Sequence, residues 1–149
     1  MFENTFSSIL TMFGGERAIV TEIEGYKVIK GTREQIEAEN VQYSSSPAVW
    51  EDPTGIYKAI VTFPKGFTDD NNFILFHEIG HIERWVPYWR ILYREDVADD
   101  YSFERLGITS NKEKRGVIKN LYKQFLKAYG IIPGSVVVFL NLHRFIRLL

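Results

Sequence analysis

Two of the chain's three histidines lie in the stretch Phe73-Ile74-Leu75-Phe76-His77-Glu78-Ile79-Gly80-His81, four residues apart, with a glutamate directly after the first. On an α-helix, residues i and i+4 share a face, their Cβ atoms about 5–6 Å apart. Two imidazoles so placed reach a single cation at metal–nitrogen distances of about 2.0–2.1 Å. Glu78 falls about 100° round the helix from His77, too far to join them as a ligand but well placed to address a water on the metal. Its expected role is general base towards that water, then acid towards a leaving amine. The plain alternative for the H-E-x-x-H pattern is a pair of surface or core histidines flanking a solvated glutamate.

Two histidines do not complete a catalytic zinc site, which takes three protein ligands and leaves a fourth position to water. The chain has no cysteine, so the third donor must be His, Asp or Glu. Downstream comes the acidic run Tyr93-Arg94-Glu95-Asp96-Val97-Ala98-Asp99-Asp100. If the histidine helix and the next one meet near residues 85–87 and run antiparallel, a rise of about 1.5 Å per residue sets Glu95 level with the histidines. Glu95 is then the expected third ligand, with Asp96 in reserve. Asp99, one turn further on the same face, would accept a hydrogen bond from a ligand imidazole. A solvated acidic face is the competing reading of the run.

Elements able to position these groups are legible around them. AIVTEI and YKVIKG flank Glu24-Gly25 as a β-hairpin. Thr32 and Gln35 form a capping box for a helix to about Asn40. VQYSSSPAVWEDPTG reads as loop, and GIYKAIVTF, residues 55–63, as a strand stopped by Pro64. Thr68, Asp69, Asp70 and Asn71 offer N-caps for the histidine helix, which Pro87 must end. A second helix is expected from about Pro87 to Leu106, closed by Gly107. Ser110 and Glu113 open a third, with Val117, Ile118, Leu121, Phe125 and Leu126 on one side and Gly130 at its end. Phe2, Phe6, Ile9, Leu10 and Phe13 recur at helical spacing over residues 3–13. Together these predict one α+β domain over residues 1–149, a short antiparallel or mixed sheet packed with helices.

His77-Glu78-Ile79-Gly80-His81 followed by Glu95-Asp96-Val97-Ala98-Asp99 resembles the gluzincin class of zinc metallopeptidases, where H-E-x-x-H precedes an E-x-x-x-D helix. The form E-x-x-A-D is similar to that of the CAAX-prenyl-protease and heat-shock membrane protease group; the small size looks more like the minimal soluble gluzincins, including phage-repressor-cleaving regulators. The resemblance covers residues 55–107. It implies a zincin-like fold with Zn2+ on His77, His81 and Glu95, Glu78 as catalytic base and Asp99 as hydrogen-bond partner of a ligand. It also implies that GIYKAIVTF is an edge strand beside the H-E-x-x-H helix, along which an extended substrate pairs. No H-x-x-G-x-x-H follows, which sets the metzincins aside.

The expected function is therefore a zinc-dependent endopeptidase cutting a protein or peptide substrate. The alternatives are a degenerate zincin scaffold serving as a binding or regulatory module, and a metal-free helix pair. Metal affinity should fall as pH drops through the imidazole range. A net charge of −1 argues against a nucleic-acid binder that relies on bulk charge. Glu3 stands where a signal peptide carries positive charge, so a cytoplasmic protein is expected. The C-terminal IIPGSVVVFLNLHRFIRLL is broken by Pro133, Asn141, His143, Arg144 and Arg147, too polar to span a bilayer. It is expected to close the core. The alternative is peripheral membrane contact, with arginines on one side and Phe139, Leu142, Phe145, Ile146 and Leu149 on the other. His143 and the tyrosines Tyr57, Tyr88, Tyr93 and Tyr101 are read as packing or surface groups, and Trp50, Trp85 and Trp89 as core or cleft-lining.

Overall fold

In the computed structural model, which describes residues 16–130 and 135–149, the chain forms two compact units, residues up to Phe67 and Thr68–Leu149. The helix expected over residues 3–13 lies outside the described residues, as does Pro133. The class is α+β: a four-stranded mixed sheet and, among the described residues, five helices.

The first unit is built on the sheet. Strands β1 (Ile19–Ile23) and β2 (Tyr26–Gly31) pair antiparallel through the expected hairpin. Its turn needs positive φ at both central residues, supplied by Glu24 at 51° and Gly25 at 87°. Helix α1 (Arg33–Glu37) starts at Thr32 with both halves of the capping box made, Gln35 N to Thr32 Oγ1 at 3.3 Å and Thr32 N to Gln35 Oε1 at 2.9 Å. Strand β3 (Ala48–Trp50) lies in the segment expected to be loop. Strand β4 (Ala59–Pro64) pairs parallel with β2 and antiparallel with β3, giving the order β1-β2-β4-β3.

That order overturns the expectation that GIYKAIVTF is an edge. Strand β4 has a neighbour on each side and every residue buried, so its backbone has no free row for a substrate. Its near-continuous apolar run suits a strand covered on both faces. The edges are β1 and β3. Ile29, Ile36 and Ile60 form a core patched by Ala18, Val41, Tyr43 and Trp50, the last donating from Nε1 to Thr62 Oγ1 at 2.9 Å.

The second unit is helical. Helix α2 (Phe73–Glu83) follows Asn72, which has φ 63° and gives no side-chain cap. Asp69 supplies the anion instead, its two carboxylate oxygens accepting from Ile74 N at 2.7 Å and Leu75 N at 2.9 Å. Helix α3 (Ile91–Leu106) begins later than expected and ends on Gly107 at φ 69°. Helix α4 (Asn111–Tyr129) is capped by Ser110 and closed by Gly130, with Ile118 and Leu121 buried. Helix α5 (Ser135–Ile146) completes the chain.

Helices α2 and α3 pack directly on each other. Phe73, at one end of α2, meets Ser102 and Phe103, while Arg84, just past the other end, meets Tyr101 and Glu104. Phe73, His77 and His81 meet Phe103, Asp99 and Glu95 in turn, the order of an antiparallel pair, and the long Arg84 side chain reaches back to Glu104. Gly80 sits at the contact: a Cβ there would lie 3.1 Å from Tyr101 Cβ and 3.2 Å from Ala98 Cα. The gap left in the helix surface is filled by the Tyr101 side chain and the Ala98 backbone of α3.

Helix α5 is turned the other way from its apolar pattern. Asn141 and Arg144 are buried, while Phe139 is 62% exposed and Leu142 and Ile146 also face outward. Arg144 is thus inside, while Arg147, just past the helix, is exposed. No described helix is long and apolar enough to cross a membrane. Trp85 and Trp89, between α2 and α3, are 72% and 69% exposed and so are not core residues.

Candidate metal centre

The imidazoles of His77 and His81 emerge from one face of α2, both buried, with ring centroids 4.7 Å apart. Glu95, from the second turn of α3, points its carboxylate between them. Its Oε2 lies 2.8 Å from His77 Nε2 and its Oε1 lies 3.7 Å from His81 Nε2. Ligand atoms at about 2.0–2.1 Å from a tetrahedral ion stand about 3.3 Å from one another. The two separations lie either side of that value, the shorter one also being a hydrogen-bond distance. Among the described residues, His77, Glu78 and His81 also form a group whose ligand atoms lie within 4.8 Å of one another.

His77 is braced from behind. Its Nδ1 lies 2.8 Å from Asp99 Oδ1, which fixes the ring plane and leaves Nε2 facing Glu95. Asp99 is fully buried and is held by Arg144 of α5, whose Nε donates to Oδ2 at 2.7 Å and Nη2 to Oδ1 at 2.5 Å. Arg144 Nη1 donates in turn to Asn141 Oδ1 at 3.1 Å. His81 has no such brace: its Nδ1 is buried without a hydrogen-bond partner among the described residues.

The charges follow from this arrangement. Burial alone would depress His77, but the Glu95 and Asp99 carboxylates outweigh it and raise its pKa to about 10. Burial, reinforced by the charge on His77, drives His81 down to about 3, so it is neutral. Burial works to raise Glu95, yet His77 holds its carboxyl well below the usual range. For Asp99, burial is likewise overcome, here by Arg144 first and His77 second. Glu78, half-buried beside the imidazoles, is pushed by burial up to about 7, the range suited to a general base near neutral pH.

The placement of the expected residues is therefore specific. His77, His81 and Glu95 converge, Glu78 stands beside them, and Asp99 contacts His77. Asp96 turns away: its Oδ2 lies 3.1 Å from His143 Nε2 and its Oδ1 lies 3.2 Å from Arg147 Nε. His143 is a satisfied, half-buried histidine, as read. Arg144 was not anticipated. Its signal was an arginine one turn after Asn141 inside a strongly apolar segment.

The chain matches no protein-family model, no curated protein and no solved structure, so the case for this centre rests on its own residues.

Proposed function

We propose that the protein is a zinc-dependent endopeptidase of the gluzincin type on a zincin-like scaffold, hydrolysing a peptide bond in a protein or peptide. The observation that carries this reading is the convergence of His77 Nε2, His81 Nε2 and the Glu95 carboxylate at spacings suited to one tetrahedral ion, with Asp99 on the far nitrogen of His77. Zinc held there would supply a Lewis acid that polarises the scissile carbonyl and acidifies a water.

The chain's own residues supply the remaining chemistry. Glu78, with its pKa near 7, takes the proton from the attacking water and returns it to the departing amine. Glu95 binds as a carboxylate and lowers the net charge of the site. By accepting from Nδ1–H, Asp99 would keep His77 in the tautomer whose unprotonated Nε2 offers its lone pair to the ion. Substrate pairing along β4 has no part in the mechanism, since that strand is internal.

Replacing Glu78 with Gln tests the reading. An endopeptidase keeps its zinc and loses turnover on an unfolded protein substrate by about 10²–10⁴-fold, the span of general acid–base catalysis. Unchanged turnover, or zinc binding with no hydrolysis by the unsubstituted protein, favours a binding module.

A further inference from the structure

Helix α5 and the residue just past its end carry His143, Arg144 and Arg147, and α3 carries Asp96, Asp99 and Asp100. They meet as a ladder. His143 and Arg147 hold Asp96, Arg147 also reaches Asp100 Oδ1 at 2.9 Å, and Arg144 grips Asp99. The rungs differ in what lies behind them. Asp96 and Asp100 lead nowhere further towards the centre, whereas Asp99 touches a ligand imidazole.

The buried rung has a cost that the others avoid. Arg144 is 4% exposed and Asp99 is fully buried. A buried ion pair is often no more stable than apolar side chains of the same volume, so simple attachment of α5 would not call for one. The geometry has a use, however. Two parallel donors from a rigid guanidinium fix the plane of a carboxylate as a single ammonium does not. Asn141 fixes the guanidinium in turn. Oδ1, shared by Arg144 Nη2 and His77 Nδ1, is thereby aimed at the imidazole.

We infer that Arg144 is a positioning residue for the metal centre: acting through Asp99, it sets the ring plane and tautomer of His77, so that the C-terminal helix completes a site whose ligands all lie on α2 and α3. The inference rests on the zinc reading above. Arg147 provides the internal comparison, since it ties the same two helices together without touching any group bonded to a ligand.

Arg144→Ala and Arg147→Ala separate positioning from attachment, using zinc competition against a chelator, the visible spectrum of the cobalt-loaded protein, and the thermal midpoint. Both variants should melt earlier. Only Arg144→Ala should weaken zinc about 10–100-fold, the usual effect of removing a partner behind a ligand, and alter the cobalt spectrum. Wild-type zinc affinity and spectrum in Arg144→Ala, or equal losses in Arg147→Ala, overturn the inference. Where Arg144→Ala does not fold, Arg144→Lys decides, since it keeps the charge and loses the fork. Weakened zinc binding in a folded Arg144→Lys supports positioning, and unchanged affinity and spectrum overturn it. Failure of the unsubstituted protein to bind zinc removes the metal reading and this inference with it; wild-type-like binding in the Arg144 variants removes this inference alone.

Discussion

Helix α3 carries two networks of nearly the same composition, a turn apart at most. One joins His77, Asp99 and Arg144; the other joins His143, Asp96, Asp100 and Arg147. Each has a histidine, an arginine and aspartate. Their difference is burial. Asp99 and Arg144 are sealed from water, whereas the Asp100 side chain is 43% exposed. In water, screening and side-chain entropy reduce an ion pair to little. Without water, the same groups shift pKa values, fix ring orientations and tolerate no missing partner. Residue type alone does not make a site; exclusion of solvent around a particular spacing does.

That contrast is broken or sharpened first by deletion. Asp99→Ala leaves the Arg144 guanidinium buried and unpaired, which should cost about 3–5 kcal/mol of folding stability in denaturant titration. Asp100→Ala should cost about 1 kcal/mol or less, as exposed pairs do. Similar losses from the two would mean that the networks are equivalent. Next comes zinc itself. Glu95→Ala, in competition titrations, should lower affinity more than 100-fold, roughly 2.7 kcal/mol, by removing a ligand. Asp96→Ala should change it several-fold at most, and the reverse ranking would move the third ligand to Asp96.

The smallest effect is the dependence on pH. Because His77 holds its proton up to about pH 10 in the metal-free protein, zinc has to displace it. Affinity should therefore rise about tenfold per pH unit between pH 7 and 8, well above the ordinary imidazole range, while His81 adds no slope. A flat affinity over that interval would show that His77 is not raised. The sign for folding is opposite to that of a lowered carboxylate. Stability from the raised His77 is complete below pH 6.5 and is lost as pH climbs through about 10.

Local periodicity made much of this readable. The i, i+4 histidines, the Thr32 and Ser110 caps, the Glu24-Gly25 turn and the glycine stops all depend on a few neighbouring residues. Counting rise per residue from the turn sets Glu95 and Asp99 beside the histidines, where they lie. What was not readable depends on distant partners. Strand β4 is internal only because three residues inside a Ser- and Pro-rich segment pair with it. Arg144 is buried only because Asp99, distant in sequence, is buried too. Amphipathic spacing put the apolar side of α5 inward; a buried carboxylate in need of a cation reversed it.

Zinc content of the purified protein, measured beside His77→Ala, tests the central claim most directly. The account predicts one zinc per chain, lost from His77→Ala while that variant remains folded by circular dichroism. A folded protein that takes up no zinc, or a His77→Ala variant that retains one per chain, would contradict it.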